Sequence, residues 1–260
     1  SVGKPCVINM SLGYHIGPHD GTSTFDRICD ELQGEGRLLV GASGNEAEYN
    51  IHATKTLKKG DTNMKSLVEF VSNWYLYGSM TSTVDIWGDA EKQLSARVFV
   101  YDILNKKEVY SSESFSTTAS ASKKISNPTG ADGNIYISTA TNPYNKKGNI
   151  TIDLNLSSFD NRNYYIGFEI SGPEETTINA WTGAYMSWLS NFGNNEFTNG
   201  DNNSTMGEIG GTGKRIITVG AYTSCNYIDH KNSSMWNNSG QTLNQLVSFS
   251  SLGPTAHGRM

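Results

Sequence analysis

The sequence predicts an α/β fold that is interrupted by an inserted antiparallel β-sandwich. The first 49 residues contain a strand, a helix and a second strand, which is the pattern of a parallel βαβ unit. From about residue 50 to residue 200, helical spacing gives way to short alternating segments separated by turn residues. We therefore predict three segments: α/β over 1–49, the sandwich over 50–200, and α/β again over 201–260.

The βαβ unit is indicated by two apolar runs and by a helix cap between them. Cys6–Met10 and Arg37–Ala42 are short and apolar, as expected for buried strands of a parallel sheet. Between them, Ser23 fits the N-cap of a helix over 24–33, and Gly34 fits its C-terminal stop. The apolar side chains at helical spacing are predicted to pack on the sheet; these are Phe25, Ile28, Cys29 and Leu32.

The middle of the chain contains seven segments that are typical of short strands. Their number and spacing favour a β-sandwich, for which we choose a jelly-roll topology. The segments are Val68–Val71, Ser82–Trp87, Ala96–Tyr101, Gly133–Ile137, Asn149–Leu154, Tyr164–Ile170 and Thr177–Trp181. Four tryptophans are predicted to be core residues, with a platform for carbohydrate or peptide as the alternative; they are Trp74, Trp87, Trp181 and Trp188.

The turn that follows the second apolar run is the first candidate site. Gly44 and Asn45 are too polar for the core, and residues just beyond a strand of an open α/β sheet face the ligand crevice. Asn45 is therefore placed to offer its side-chain N–H₂ to a ligand. The alternative is that Asn45 only accommodates a left-handed turn.

Composition excludes several classes of function. The formal net charge is -5 and no run is rich in Lys or Arg, which excludes nucleic acid as a partner. No apolar run approaches the roughly 20 residues of a membrane span. Three widely spaced cysteines indicate neither a disulfide framework nor a zinc site, so we predict no metal or cofactor. The one exception is an oxygen-rich run, Asp201-Asn202-Asn203, that is a weak candidate for Ca²⁺.

Four sequence blocks, in this order, resemble the catalytic domain of subtilisin-like serine proteases (subtilases). They are Met10-Ser11-Leu12-Gly13, Ala42-Ser43-Gly44-Asn45, Val219-Gly220-Ala221 and Phe249-Ser250-Ser251-Leu252-Gly253-Pro254. An insert just after the Gly-Asn turn, and the loop Gly17–Ser23 before it, resemble the subtilases with a jelly-roll insert, including the spore-germination type. The resemblance implies a partial subtilisin-like parallel sheet with helices.

The resemblance also implies roles for individual residues. Asn45 would be the side-chain donor of the oxyanion hole, a role worth ~3–4 kcal/mol for the corresponding Asn of subtilisin itself. Two short segments would form the walls of the substrate groove, Gly207 its floor, and Glu208 a preference for basic side chains. The wall residues are Ser11, Leu12 and Gly13 on one side and Ala42, Ser43 and Gly44 on the other.

The catalytic triad of the family has no match in this sequence. The family orders the three residues Asp, His, Ser, so we expect the first two upstream and the nucleophile downstream, in a longer polypeptide from which this chain is cut. The chain alone is then inactive. Nearby residues that imitate parts of a triad are predicted to form a hydrogen-bonded loop and a helix cap; they are His15, His19, Asp20 and Ser23. His257 is assigned no role.

The resemblance therefore implies part of an exported serine endopeptidase that acts on polypeptides outside the cell, in the periplasm or at the cell surface. Exposed sheet edges are expected to permit homo-oligomers. Two alternatives stay open. One is a binding module in which the sandwich is the functional part, and the other is a pseudoprotease scaffold.

Overall fold

The computed structural model describes residues 3–70, 79–126, 128, 132–157, 159–160, 162–183, 187–224, 227–229, 235–237, 241–256 and 258. These separate into two compact units. Unit 1 comprises Ser1–Tyr14, His19–Glu48 and Asn202–Met260, and unit 2 comprises His15–Pro18 and Tyr49–Asp201.

The described residues contain one helix, α1 (Thr24–Leu32), and strands in every other regular segment. In chain order the strands are β1 (Cys6–Met10), β2 (Arg37–Ala42), β3 (His52–Thr56), β4 (Asn63–Phe70), β5 (Ser79–Ala90), β6 (Ser95–Asp102), β7 (Lys107–Ser111), β8 (Phe115–Ser116), β9 (Ala121–Ser126), β10 (Asp132–Thr141), β11 (Lys147–Ser157), β12 (Tyr164–Ser171), β13 (Thr177–Thr182), β14 (Ser187–Ser190), β15 (Ile217–Val219), β16 (Tyr227–Asp229) and β17 (Met235–Asn237).

The predicted α/β fold class is wrong. Strands dominate the described residues, most of them are antiparallel, and parallel pairing is confined to the three strands β1, β2 and β15. The prediction also assigned the pattern of the first 49 residues to 201–260, where the described residues form turns and three strands of three residues each, of which only β15 joins the parallel sheet. Identification as a subtilisin-like protease is overturned by the same finding, because that family requires a parallel sheet with several helices.

Unit 1 does contain the short βαβ element. β1 pairs with β2 in parallel register, Ser23 Oγ accepts the N–H of Asp26 at 3.0 Å, and α1 ends at Leu32. Cys29 of α1 packs with Leu39 and Ile216 in a small core. The other predicted contacts are only partly formed: Phe25 is half-buried, whereas Ile28 and Leu32 are exposed, because three strands are too narrow to cover the apolar side of the helix.

Unit 2 consists mainly of two antiparallel sheets that share one core. The first has the strand order β3-β13-β5-β11-β10-β9 and the second β14-β4-β12-β6-β7, with β8 beside β6. Alternate side chains of both sheets are buried in a common cluster. That period of two made the central strands predictable. The exposed edge strands β7 and β9 have no alternation of burial and were not predicted.

The tryptophans of unit 2 that the structure describes do not form an exposed platform. Trp181 and Trp87 are buried, Trp188 is half-buried, and Trp74 lies outside the described residues. The core interpretation is therefore correct for Trp87 and Trp181.

Candidate functional site

The turn after β2 presents Asn45 to solvent. Asn45 is exposed, and its side chain has no hydrogen-bond partner among the described residues. Its backbone N–H donates to Glu46 Oε2 at 2.7 Å. Gly44 has a positive φ, of 111°, whereas the φ of Asn45 is not positive. Accommodating a left-handed turn is therefore not the reason for an Asn at this position.

The turn is held in place by Glu46 and Ser251. Ser251 Oγ donates to Glu46 Oε2 at 2.8 Å and accepts the backbone N–H of Glu46 at 3.0 Å, while the N–H of Ser251 donates to the carbonyl of Gly44 at 3.1 Å. A Cβ on Gly44 would overlap both Glu46 and Ser251. Asn45 thus projects from a backbone fixed on both sides. The predicted site omitted Glu46 and Ser251, although both lie in motifs that the sequence made visible.

Gly207 lies between the two predicted walls. Its N–H donates to the carbonyl of Ser43 at 3.2 Å, and the next N–H, of Glu208, donates to the carbonyl of Tyr14 at 2.9 Å. A Cβ on Gly13 would lie 3.2 Å from the carbonyl oxygen of Glu208, so the backbones approach closely there. Gly13 of one predicted wall and Ser43 of the other therefore both lie close to the backbone at Gly207 and Glu208. Their roles in binding substrate stay predictions.

Glu208 points away from this groove. It is fully buried, and its Oε1 accepts the backbone N–H of His19 at 2.8 Å. Burial, together with the nearby charge of Asp26, raises the pKa of Glu208 well above its ordinary value. Burial also raises the pKa of Asp26, whose carboxylate accepts the hydroxyl of Thr212. The suggestion that Glu208 selects basic substrates is wrong, because its carboxyl is fully buried and cannot contact a bound peptide.

The residues that imitate a triad are structural. His19 is buried with Nδ1 2.9 Å from the carbonyl oxygen of Met206, and Asp20 accepts hydrogen bonds from the N–H and hydroxyl of Thr22. Ser23 caps α1. These contacts agree with the predicted loop and cap. His257 lies outside the described residues.

A histidine–carboxylate pair that was not predicted from the sequence lies in unit 2. His52 Nδ1 is 2.9 Å from Asp201 Oδ1, and Nε2 is 3.1 Å from Asn179 Oδ1. The ring is buried and lies 4.9 Å from the ring of Trp181. Both ring nitrogens are already used, so the pair is not placed to exchange a proton with a substrate. Its members are 149 residues apart, and no local pattern connects them.

The structure gives no support to the Ca²⁺ candidate. Asp201 directs Oδ1 at His52, and no group of three or more His, Cys, Asp or Glu side chains within the described ranges is arranged to hold a metal ion. Cys6 and Cys29 are free thiols, the first exposed and the second buried. No helix in the described part of the chain has the length and apolar character needed to cross a membrane.

Comparison with known proteins gives a similarity of fold. No protein-family model matches the sequence, and no curated protein matches it. A solved structure of the Clostridium perfringens CspB protease is similar, with a TM-score of 0.65 and 18% sequence identity over 99% of this chain and 47% of that chain. The fold is related to part of a clostridial protease. The chain spans about half the length of that protein, and at this identity the similarity is one of fold alone.

Proposed function

We propose that the chain supplies part of the substrate cleft of a serine endopeptidase, and that Asn45 is a side-chain donor of its oxyanion hole. The observation that carries the proposal is an exposed Asn amide on a turn whose backbone is fixed by Glu46 and Ser251. The similarity of fold to part of a protease supports it.

Hydrolysis of a peptide bond places negative charge on the carbonyl oxygen in the transition state. A donor stabilises that charge best when it is already oriented, because no reorganisation is then needed during the reaction. The hydrogen bonds of Glu46 and Ser251 hold the backbone on both sides of Asn45. The Asn45 amide, which has no partner within the described residues, is left to donate to the substrate.

Only one of the two predicted walls, Ser11–Gly13, has a backbone that is available to pair with the substrate. The carbonyls of Ser43 and Gly44 already accept hydrogen bonds from Gly207 and Ser251. Ser11–Gly13 is exposed on the opposite side. An extended peptide would therefore pair along Ser11–Gly13 and direct a side chain towards Gly207, where a closed backbone limits the depth of the groove.

In this proposal, the nucleophile and its general base are supplied by residues other than these 260. His19 and His52 are buried in structural contacts, and the described residues contain no exposed Ser–His pair. The chain alone is then expected to be inactive, and the parent protein is proposed to be exported.

The test uses the complete polypeptide encoded around this sequence. We expect a fluorophosphonate to label it, and Asn45→Ala to lower kcat for peptide hydrolysis about 10²–10³-fold with little change in KM, because the donor acts mainly on the transition state. Asn50→Ala, an exposed Asn outside the groove, serves as the control and should leave kcat unchanged.

Two results would reject the proposal. If the complete protein is neither labelled nor active, the chain belongs to a pseudoprotease scaffold. If the protein is active and Asn45→Ala has the kcat of the control, Asn45 is not an oxyanion donor.

A further inference from the structure

We propose that unit 2 carries a binding site for a neutral oligosaccharide on the outer face of its second sheet. A cavity of about 570 Å³ lies there, within the range of about 300–1,000 Å³ that is usual for small-ligand sites. It is lined by Leu67, Tyr101, Ile103, Lys106, Asn191, Phe192, Gly193, Asn194, Asn195 and Glu196. All of these residues belong to unit 2, and the proposed protease role assigns none of them.

The floor of the cavity follows from strand register. Leu67 pairs with Gly167, Gly167 with Phe99, and Tyr165 with Tyr101 across β4, β12 and β6. Side chains of paired residues share one face of a sheet, so these form a row. Leu67, Phe99 and Tyr101 belong to a cluster separate from the core between the sheets. A Cβ at Gly167 would overlap the ring of Phe99, so Gly167 makes room for this buried ring beside Leu67 and Tyr101, which line the cavity.

The wall of the cavity is the segment 191–197, which is held by its own hydrogen bonds. Asn191 Oδ1 accepts the N–H of Gly193 at 2.9 Å, and Asn194 Oδ1 accepts that of Glu196 at 3.0 Å. Asn194 Nδ2 also donates to the hydroxyl of Tyr101 at 3.2 Å, which ties the wall to the floor. The cavity is therefore formed before any ligand binds.

Phe192 is held at the cavity in a conformation that non-glycine residues rarely adopt. Its φ is 44°, and its ring centroid lies 3.9 Å from that of Tyr165. Lys106, also in the lining, has a φ of 51°. Such backbone strain persists only where the surrounding structure holds it, and it is concentrated at functional sites.

The chemistry of the lining favours a ligand with many hydroxyl groups and no net charge. Side-chain amides donate and accept, as hydroxyl groups require, and Phe192 offers an apolar face to the C–H groups of a sugar ring. Lys106 and Glu196 carry opposite charges. The side chains of Asn195, Lys106 and Glu196 have no hydrogen-bond partner in the described part of the chain.

The position of the cavity argues against a peptide ligand. Extended peptides commonly bind by adding a strand to the edge of a sheet. Leu67 and Tyr101 instead belong to β4 and β6, each of which has a strand on both sides. A stacked and hydrogen-bonded saccharide needs no such edge.

The test is isothermal titration calorimetry of the 260-residue chain with cellohexaose, xylohexaose and mannohexaose. We expect at least one of them to bind, and we expect Phe192→Ala and Asn195→Ala each to weaken binding about tenfold, or ~1.4 kcal/mol. Asn195 is exposed, so its variant keeps the test valid if Phe192→Ala fails to fold. Tyr136→Ala, on the outer face of the other sheet, is the matched aromatic control and should bind as the wild type does.

Three results would overturn the proposal. These are no binding of any neutral oligosaccharide at about 1 mM, binding only of a heparin hexasaccharide or an unstructured hexapeptide, and binding that Asn195→Ala and a folded Phe192→Ala leave unchanged. None of them bears on Asn45, because the two sites lie in different units.

Discussion

Unit 2 buries its apolar side chains between two antiparallel sheets, whereas unit 1 leaves many of its own exposed. Strands of both sheets contribute to one large buried cluster in unit 2. The core of unit 1 around α1 consists of Cys29, Leu39 and Ile216, with Met10 and Phe25 packed against it. The difference indicates that most of the folding free energy resides in unit 2, because burial of apolar surface is the main stabilising term.

Four exposed apolar residues of unit 1 lie on one face of its parallel sheet. Val7 is 62% exposed and Val219 51%, and Leu38 and Ile217 share their face by register. Parallel sheets are normally covered on both faces. The candidate groove therefore belongs to the less stable unit, and the proposed oligosaccharide site belongs to the more stable one.

The largest expected effect tests whether stability resides in unit 2. Phe168→Ala in its core should lower the free energy of unfolding by about 3–5 kcal/mol, whereas Leu39→Ala in the small core of unit 1 should cost only about 2 kcal/mol. Urea unfolding followed by fluorescence and circular dichroism measures both, and separate transitions would assign each loss to a unit. If the two variants lose the same unfolding free energy, stability is not concentrated in unit 2.

Burial of the Glu208 carboxyl should make the stability of unit 1 depend on pH. Because the pKa of buried Glu208 is raised, its protonated form is favoured by folding, so its stabilisation is fully present below the ordinary pKa of 4.5 and is lost as pH rises through the folded pKa. Glu208→Gln stays neutral. The variant should therefore lose less unfolding free energy than the wild type as pH rises from the ordinary pKa of 4.5 through the raised folded pKa of Glu208.

The control for the pH experiment is Glu31→Gln, a change at an exposed position of α1. It should retain the pH dependence of the wild type. If Glu208→Gln also retains it, the buried carboxyl does not govern the stability of unit 1.

The smallest expected change in stability concerns the exposed sheet face. Val7→Lys should alter the free energy of unfolding by no more than about 0.5 kcal/mol, since Val7 is mostly in water. It should nevertheless reduce self-association in sedimentation velocity, because exposed apolar patches favour association. Leu104→Lys, at an exposed position of unit 2, adds the same charge and should leave association unchanged. Equal effects would show that net charge, rather than this face, controls association.

The central strands were predictable because their signal is local. β11 alternates buried and partly exposed residues along most of its length, and that alternation is visible in the sequence. The edge strands β7 and β9 lacked the signal because both of their faces meet solvent. The error in fold class arose from naming the fold after the predicted α/β segments, which form only a three-stranded parallel sheet with one helix in the described residues.

Part of the candidate site was also predictable, because its sequence signal is local. The walls and Asn45 lie in short motifs next to strands. Glu208 was misassigned because its environment comes from His19 and Asp26, which are more than 180 residues away in sequence. The cavity of unit 2 could not be anticipated, since Leu67, Tyr101 and Phe192 meet only through the register of paired strands and the loop after β14.

The sequence by itself determined features set by neighbouring residues: the Ser23 cap, the turn that exposes Asn45, and the alternation of the central strands. Only the tertiary structure decided the fold class, the inward direction of Glu208, and the cavity beside Phe192. The physical reason is distance along the chain. A cap or a pleat needs partners a few residues away, whereas burial and cavities depend on which distant segments pack together.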